Sequence, residues 1–184
     1  MGNMRAITAA ALTLFAGPAL GADSCQVQIP ASLKVALAKA FPKFRAPIAT
    51  DNLAEDIEWD LKEGRNGCLG VAIADFDGDG ARDLLLGLTA LKGPGALIVV
   101  ALARGKSWKL ETLDEWSRDR NRLYVAADKP GVYRRTEALD GPLEPGEIDP
   151  LRCLHSAAMF GATESSGVAY CYNNHRWQHV WISD

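Results

Sequence analysis

Residues 68–90, CLGVAIADFDGDGARDLLLGLTA, place an acidic loop between two apolar segments. The flanking segments, 68–74 and 84–90, are short and rich in Val, Ile and Leu, which is typical of buried β-strands. The nine residues between them, DFDGDGARD, contain four carboxylates and two glycines, and glycine is the usual residue where a chain turns sharply. This stretch therefore predicts a β-hairpin closed by an acidic loop.

The acidic loop has the composition of a calcium site. Four carboxylates this close repel one another unless a cation neutralises them. Hard oxygen ligands at alternate positions suit calcium, which takes about six to eight oxygens, better than the stricter octahedron of magnesium. An EF-hand is not expected, because the residue at the twelfth position is Leu86 and not Glu. The alternative is a metal-free turn in which Asp side chains cap backbone amides. The predicted ligands are four side chains and one backbone carbonyl: Asp75, Asp77, Asp79, Asp83 and the carbonyl of Ala81.

The pattern D-x-D-G-D-G-x-x-D followed by a strand resembles the calcium loop of the FG-GAP and VCBS-type repeats. In those families the loop joins two strands, and many copies together build a propeller. This chain contains one copy, whereas a repeat fold needs about three units to bury its faces. The resemblance therefore implies a calcium-binding hairpin, and a propeller is not expected.

The N-terminal residues predict export. Residues 1–21 contain one Arg, an apolar run at 6–15 and small residues near the end, which is the pattern of a secretory signal peptide cleaved after Gly21 or Ala22. The apolar run is shorter than the ~20 residues of a membrane span. We predict a signal peptide at 1–21, a single domain at 22–184 and a periplasmic location.

The charge of the chain narrows the choice of partners. The full chain has a formal charge of −3, and residues 1–21 hold one cation and no anion, so the mature chain carries −4. Nucleic acids and anionic lipids both require a basic surface. We therefore expect neither a nucleic acid nor a membrane as partner.

Four cysteines in an exported chain predict two disulfides. A hairpin turning at 164–165 would place Cys153 and Cys171 five residues out of register, about 16 Å apart, which is too far for a disulfide. Of the two remaining connectivities we favour Cys68 with Cys153 and Cys25 with Cys171. The other, Cys25 with Cys153 and Cys68 with Cys171, stays open.

The remaining segments predict an α+β fold. Apolar spacing and flanking prolines predict a helix at 31–41, and 51–64 predicts a second short helix. Strands are predicted at 95–104, 108–113 and, in the C-terminal region, at 153–163, 166–173 and 176–183. The apolar runs 84–88 and 97–102 are too continuous for half-solvated strands and are expected at the centre of the sheet. The expected architecture is an antiparallel, largely meandering sheet with two short N-terminal helices on one face, one calcium loop in a hairpin, and disulfides.

No residue set in the sequence predicts catalysis. His175 and His179 are spaced as zinc ligands would be on a helix, but their surroundings predict a strand, where they lie about 13 Å apart. The cysteines are expected in disulfides and not as nucleophiles. We therefore expect a protein that is not an enzyme; a calcium-dependent secreted hydrolase is the alternative.

A binding function remains, with a periplasmic or incoming enzyme as the expected partner. By size, compartment and class the chain is similar to immunity proteins that neutralise peptidoglycan-degrading, amidase-type effectors delivered by type VI secretion. The loop at 129–150, with four prolines and three glycines, is the expected contact surface. Tyr and Arg are enriched among interface hot spots, and Trp at the last hairpin can bind or cap a core. The candidate contact residues are Tyr133, Arg134, Arg135, Trp177 and Trp181.

Overall fold

The computed structural model describes residues 22–139, 141–165 and 167–182. The predicted signal peptide, 1–21, lies outside the described residues. Within them, no helix is long and apolar enough to cross a membrane. The helices are α1 (Ala31–Ala40) and α2 (Ala54–Lys62). The strands are β1 (Phe44–Arg45), β2 (Val71–Ala74), β3 (Asp83–Ala90), β4 (Ala96–Arg104), β5 (Ser107–Trp116), β6 (Leu123–Asp128), β7 (Gly131–Tyr133), β8 (Leu151–Cys153), β9 (Ala157–Ala162), β10 (Gly167–Asn173) and β11 (Arg176–Ile182).

The predicted α+β class and antiparallel pairing are confirmed, but the strands divide among three sheets. The five-stranded sheet runs β1-β3-β4-β5, with β2 also paired to β3. The four-stranded sheet runs β11-β10-β9-β6, and β7 pairs with β8 in a two-stranded ribbon. β3 and β4 lie in the interior of the first sheet, as their continuous apolar sequences predict.

The two larger sheets share one apolar core. This central core takes Leu85, Ile98 and Val100 from the five-stranded sheet, and Val125, Phe160 and others from the four-stranded sheet. Successive side chains on a strand point to opposite faces, so the neighbours of these residues form a second core. There α1 inserts Leu33 and Leu37, four residues apart, against the other face of the first sheet. Every side chain of the central β3 and β4 segments is therefore buried on one face or the other.

The second helix does not cover the sheet as expected. The buried residue of α2 is Asp60, whose carboxylate accepts a hydrogen bond from the Gly67 amide at 2.9 Å and pairs with Arg65. A side chain at Gly67 would meet Ile57 and Leu61 at 3.2–3.3 Å. The helix thus lies against the segment that follows it, whereas α1 packs together with Cys25 and Ile29 on the outer face of the first sheet.

A partly buried polar cluster holds the start of the fold together. Asp51 pairs with Arg45 and accepts hydrogen bonds from the Ile48 amide at 3.0 Å and the Thr89 hydroxyl at 2.8 Å. Burial by itself would raise the pKa of Asp51, but these hydrogen bonds outweigh burial and lower it.

A second arginine is buried close to that cluster. Arg120 is 6% exposed and packs near Gly70 and Pro47. A Cβ atom added at Gly70 would lie 2.7 Å from the Arg120 guanidinium and 2.6 Å from the Pro47 ring. Burial lowers the pKa of Arg120 to about 10. Only glycine therefore fits at position 70.

The disulfide pairing differs from the prediction. Two bridges form, as expected, but they join Cys25 to Cys68 and Cys153 to Cys171, with Cα atoms 5.0 and 5.1 Å apart. The predicted pairs, Cys68 with Cys153 and Cys25 with Cys171, are wrong. The prediction assumed one straight strand from 153 to 163, whereas the chain bends at 154–156 between β8 and β9. That bend returns β8 to β10, which removes the offset that would have separated the two cysteines.

Candidate metal centre

The loop between β2 and β3 gathers three of the predicted carboxylates. Three carboxylate oxygens, one from each of Asp75, Asp77 and Asp83, all lie within 4.8 Å of one another. Ligands on opposite sides of a calcium ion, at about 2.3–2.6 Å each, are about 4.6–5.2 Å apart. The three carboxylates therefore fit around a single cation, and their hard oxygens suit calcium.

The loop backbone is shaped by two glycines and by its own carboxylates. Gly78 and Gly80 have φ of 79° and 83°, which favours glycine at both positions. Their amides donate to the two oxygens of Asp75, at 2.7 and 2.9 Å. In this way the Asp75 side chain caps the turn with both of its oxygens.

Asp83 supplies the electrostatic argument for a cation. It is fully buried at the start of β3 and accepts hydrogen bonds from the Phe76 amide at 3.0 Å and the Ala103 amide at 2.8 Å. Burial raises the pKa of Asp83, and the nearby charges of Asp77 and Asp79 raise it further, against the opposing effect of the two amides. A bound cation would relieve this penalty.

The structure places Asp79 differently from the other three carboxylates. Its side chain pairs with the guanidinium of Arg104 at 2.9 Å and accepts a hydrogen bond from the Ala81 amide at 2.8 Å. Arg104 also contacts Asp77. The hydrogen bond that Arg104 donates to the Asp77 carboxylate raises the pKa of Arg104, which therefore stays charged. One arginine thus balances part of the charge of four carboxylates.

Two residues of this site were missed by the sequence analysis. Arg104 ends β4, and extending the β3–β4 register, in which Leu84 faces Ala101, places it opposite Ala81. That register could have been read from the two apolar strands. His155 had no comparable signal: its ring packs against Gly78, where a side chain would overlap it. The Ser156 amide donates to the Asp75 carbonyl at 3.3 Å, so the bend at 154–156 rests on the acidic loop.

The predicted contact residues in the long loop differ in their exposure. Arg134 is exposed. Tyr133 is half-buried, and its hydroxyl bonds the Asp128 carboxylate at 2.9 Å. Arg135 is 14% exposed and forms an ion pair at 3.1 Å with the fully buried carboxylate of Glu147. Arg135 therefore holds the loop closed, and Arg134 is the residue of the three whose charge faces outward.

The two tryptophans of the last hairpin pack at the edge of the central core. Trp177 and Trp181 are half-buried, and their indole N–H groups donate to Glu111 at 2.6 Å and Glu144 at 3.2 Å. The opposite face of β11 packs Val180 into a third core with the Cys153–Cys171 bridge. Both faces of this strand thus contact apolar clusters.

Searches of known protein families, curated proteins and solved structures find nothing similar to this chain.

Proposed function

We propose that this chain is an exported, calcium-stabilised binding protein that inhibits an enzyme in the periplasm, with an immunity protein against a peptidoglycan-degrading, amidase-type effector as its specific form. Two disulfides indicate an oxidising compartment outside the cytoplasm. The three-carboxylate cluster supports calcium as the ion. A domain stiffened in these ways loses little conformational entropy on binding.

The observation that carries the binding function is the outer face of the β7–β8 ribbon. Tyr133, Leu151 and Cys153 pack inward on the third core, so the alternate residues face outward. Val132 on this outer face is 58% exposed, and Leu154, one residue beyond the end of β8, is 59% exposed. An apolar surface of this kind is typical of protein contacts.

The charge of the ribbon indicates the chemistry of the partner. Exposed Arg152 lies opposite Val132 in the ribbon, and exposed Arg134 and Leu154 each lie one residue beyond the end of a ribbon strand. The mature chain as a whole is acidic, so this face differs from the net charge of the molecule. It fits a partner enzyme that presents carboxylates around an apolar contact. Arg134 is common to this face and to the residues predicted from the sequence.

Charge reversal on the ribbon tests the proposal. The enzyme is first captured from periplasmic extract and must lose activity when the purified protein is added. The Arg134→Glu/Arg152→Glu variant should then weaken binding by at least about 30-fold, since arginines at hot spots contribute about 2 kcal/mol or more. The control, Arg122→Glu/Arg176→Glu, makes the same charge change at exposed positions elsewhere.

Two results contradict the proposal. Equal loss in both variants would show that only net charge matters and that the ribbon is not the contact surface. Hydrolysis of peptidoglycan fragments by the purified protein, with no enzyme inhibited, would support the calcium-dependent hydrolase instead.

A further inference from the structure

A large groove opens between α2 and the edges of the two main sheets. Its volume is about 1220 Å³, which is larger than the ~300–1,000 Å³ of small-molecule pockets. β2 and β6 both line it. In the part of the chain that the structure describes, β2 pairs only with β3, and β6 only with β9. The groove is therefore bordered by two sheet edges.

The ladder pattern shows which backbone groups face this groove. The Gly87 amide donates to the Gly70 carbonyl at 3.1 Å, and antiparallel partners alternate between bonded and non-bonded pairs. In β2 the backbone groups of Val71 and Ile73 therefore point away from β3. By the same argument, the bond from the Thr163 amide to the Arg122 carbonyl makes Leu123, Val125 and Ala127 point away from β9.

The edge of β6 is covered at its start and open at its end. The Leu123 carbonyl accepts hydrogen bonds from Asn52 at 2.7 Å and from Arg120 at 3.2 Å. The Val125 amide donates to the Leu69 carbonyl at 2.8 Å. The groove is also lined by Ala72 and Ile73 of β2 and by Ala126 and Ala127 of β6. Ile73 of β2 and Ala127 of β6 thus offer outward backbone groups at its walls.

The walls of the groove are acidic with an apolar component. Glu55, Asp56 and Glu164 line it. Arg65, the cation among the lining residues, already pairs with Asp60 and stacks on Trp59 at 4.7 Å. Trp59 is 57% exposed and Ile73 is 38% exposed. The charge of the groove is therefore negative, and it complements a cationic ligand with apolar side chains.

We propose that this groove binds an extended, cationic segment of another protein chain, which adds as a strand to the open edge of β2 or β6. Strand addition supplies main-chain hydrogen bonds, and the acidic walls select lysine or arginine side chains. This site is separate from the β7–β8 ribbon and of opposite charge, so the inference goes beyond the proposed inhibition and does not depend on it.

A peptide titration followed by NMR tests this site directly. The probe is a capped hexapeptide of alternating lysine and valine, and the comparison peptide alternates glutamate and valine. The lysine peptide should bind saturably and shift the amides of Ile73 and Ala127. Two further versions of the lysine peptide are methylated on the backbone nitrogens, one at its lysines and the other at its valines. At least one must lose binding, because alternate amides of a strand face opposite edges.

Matched variants test the charge of the groove. Glu55→Gln/Glu164→Gln should raise the Kd of the lysine peptide by about 2- to 30-fold, from two partly exposed ion pairs. Glu58→Gln/Glu63→Gln makes the same charge change at exposed residues outside the groove and should change the Kd less than about 2-fold. Charge reversal of the ribbon should leave peptide binding intact, so failure of one proposal is distinguishable from failure of the other.

Several outcomes would overturn the inference. These are no saturable binding, equal binding of the glutamate peptide, equal loss in both pairs of variants, or amide shifts elsewhere on the molecule. A dimer in sedimentation equilibrium with the groove amides protected in the dimer would assign the edges to a second copy of this chain, and would also overturn it.

Discussion

We predict that the removal of calcium will affect Asp77 and Asp79 variants differently, although the sequence pattern treats the two residues as equivalent ligands. Asp77→Asn and Asp79→Asn each remove one charge from the same loop and one partner from Arg104. Only Asp77 belongs to the three-carboxylate cluster. We expect the stabilisation by calcium to disappear in Asp77→Asn and largely to persist in Asp79→Asn.

The size of the expected calcium stabilisation follows from the charge of the site and the length of the chain. Three clustered carboxylates partly offset by Arg104 resemble the weaker extracellular calcium modules, with Kd of about 10⁻⁴–10⁻³ M. At about 10 mM calcium the ion is at ten to a hundred times Kd, which stabilises the folded state by about 1.4–2.7 kcal/mol. For a chain of this size, each kcal/mol shifts Tm by about 2–4 °C. The expected increase in Tm is therefore about 3–11 °C.

Differential scanning calorimetry measures the shift in Tm for the wild type and the two variants, each in chelator, in calcium and in magnesium. The Tm of each protein in chelator is its own baseline for the calcium shift, since each variant loses one contact with Arg104. Magnesium should stabilise less than calcium. The reasoning is refuted if wild-type Tm is the same in chelator and calcium, or if Asp79→Asn loses the calcium shift and Asp77→Asn keeps it.

Three further predictions concern the frame that carries these sites. Gly70→Ala should destabilise by about 1–3 kcal/mol through overpacking, whereas Gly131→Ala, with no neighbour closer than 3.9 Å, should change little in urea denaturation. Glu147→Ala removes the carboxylate that pairs with the largely buried guanidinium of Arg135 and should cost about 3 kcal/mol. Arg134→Ala, at the exposed end of the same loop, should stay within about 0.5 kcal/mol, and equal losses would contradict the ion pair's role. Because the folded pKa of Asp51 is lowered, its contribution is present above about pH 4 and is lost as pH falls through the folded value. Asp51→Asn should therefore flatten the acid side of the stability curve, and an unchanged slope would contradict this.

Features that depend on neighbouring residues in the sequence were predictable. The periodicity of residues 31–41 and the prolines around it predicted α1, and the continuous apolar runs predicted β3 and β4 at the interior of a sheet. The spacing of the acidic loop likewise predicted a cluster of carboxylates, because all its members lie within nine residues. In these cases the interacting groups are close in the chain, so local geometry constrains them.

Features that depend on where distant segments meet were not predictable in the same way. The disulfide pairing depended on three residues, 154–156, that bend the chain between β8 and β9. The apolar pattern of that region is equally consistent with one longer strand. Arg104 reached the acidic loop through strand register, and Arg135 turned inward because Glu147 lies buried beside it.

The sequence by itself determined the helices, the acidic hairpin and the presence of two disulfides, because apolar periodicity, glycine turns and cysteine number act over short distances or by count. The tertiary structure alone decided the division into three sheets, the cysteine partners, the separation of Asp79 from the other carboxylates and the groove between β2 and β6. These features arise where segments far apart in the chain pack together, and the free energy of such packing depends on shape and charge contributed by both sides.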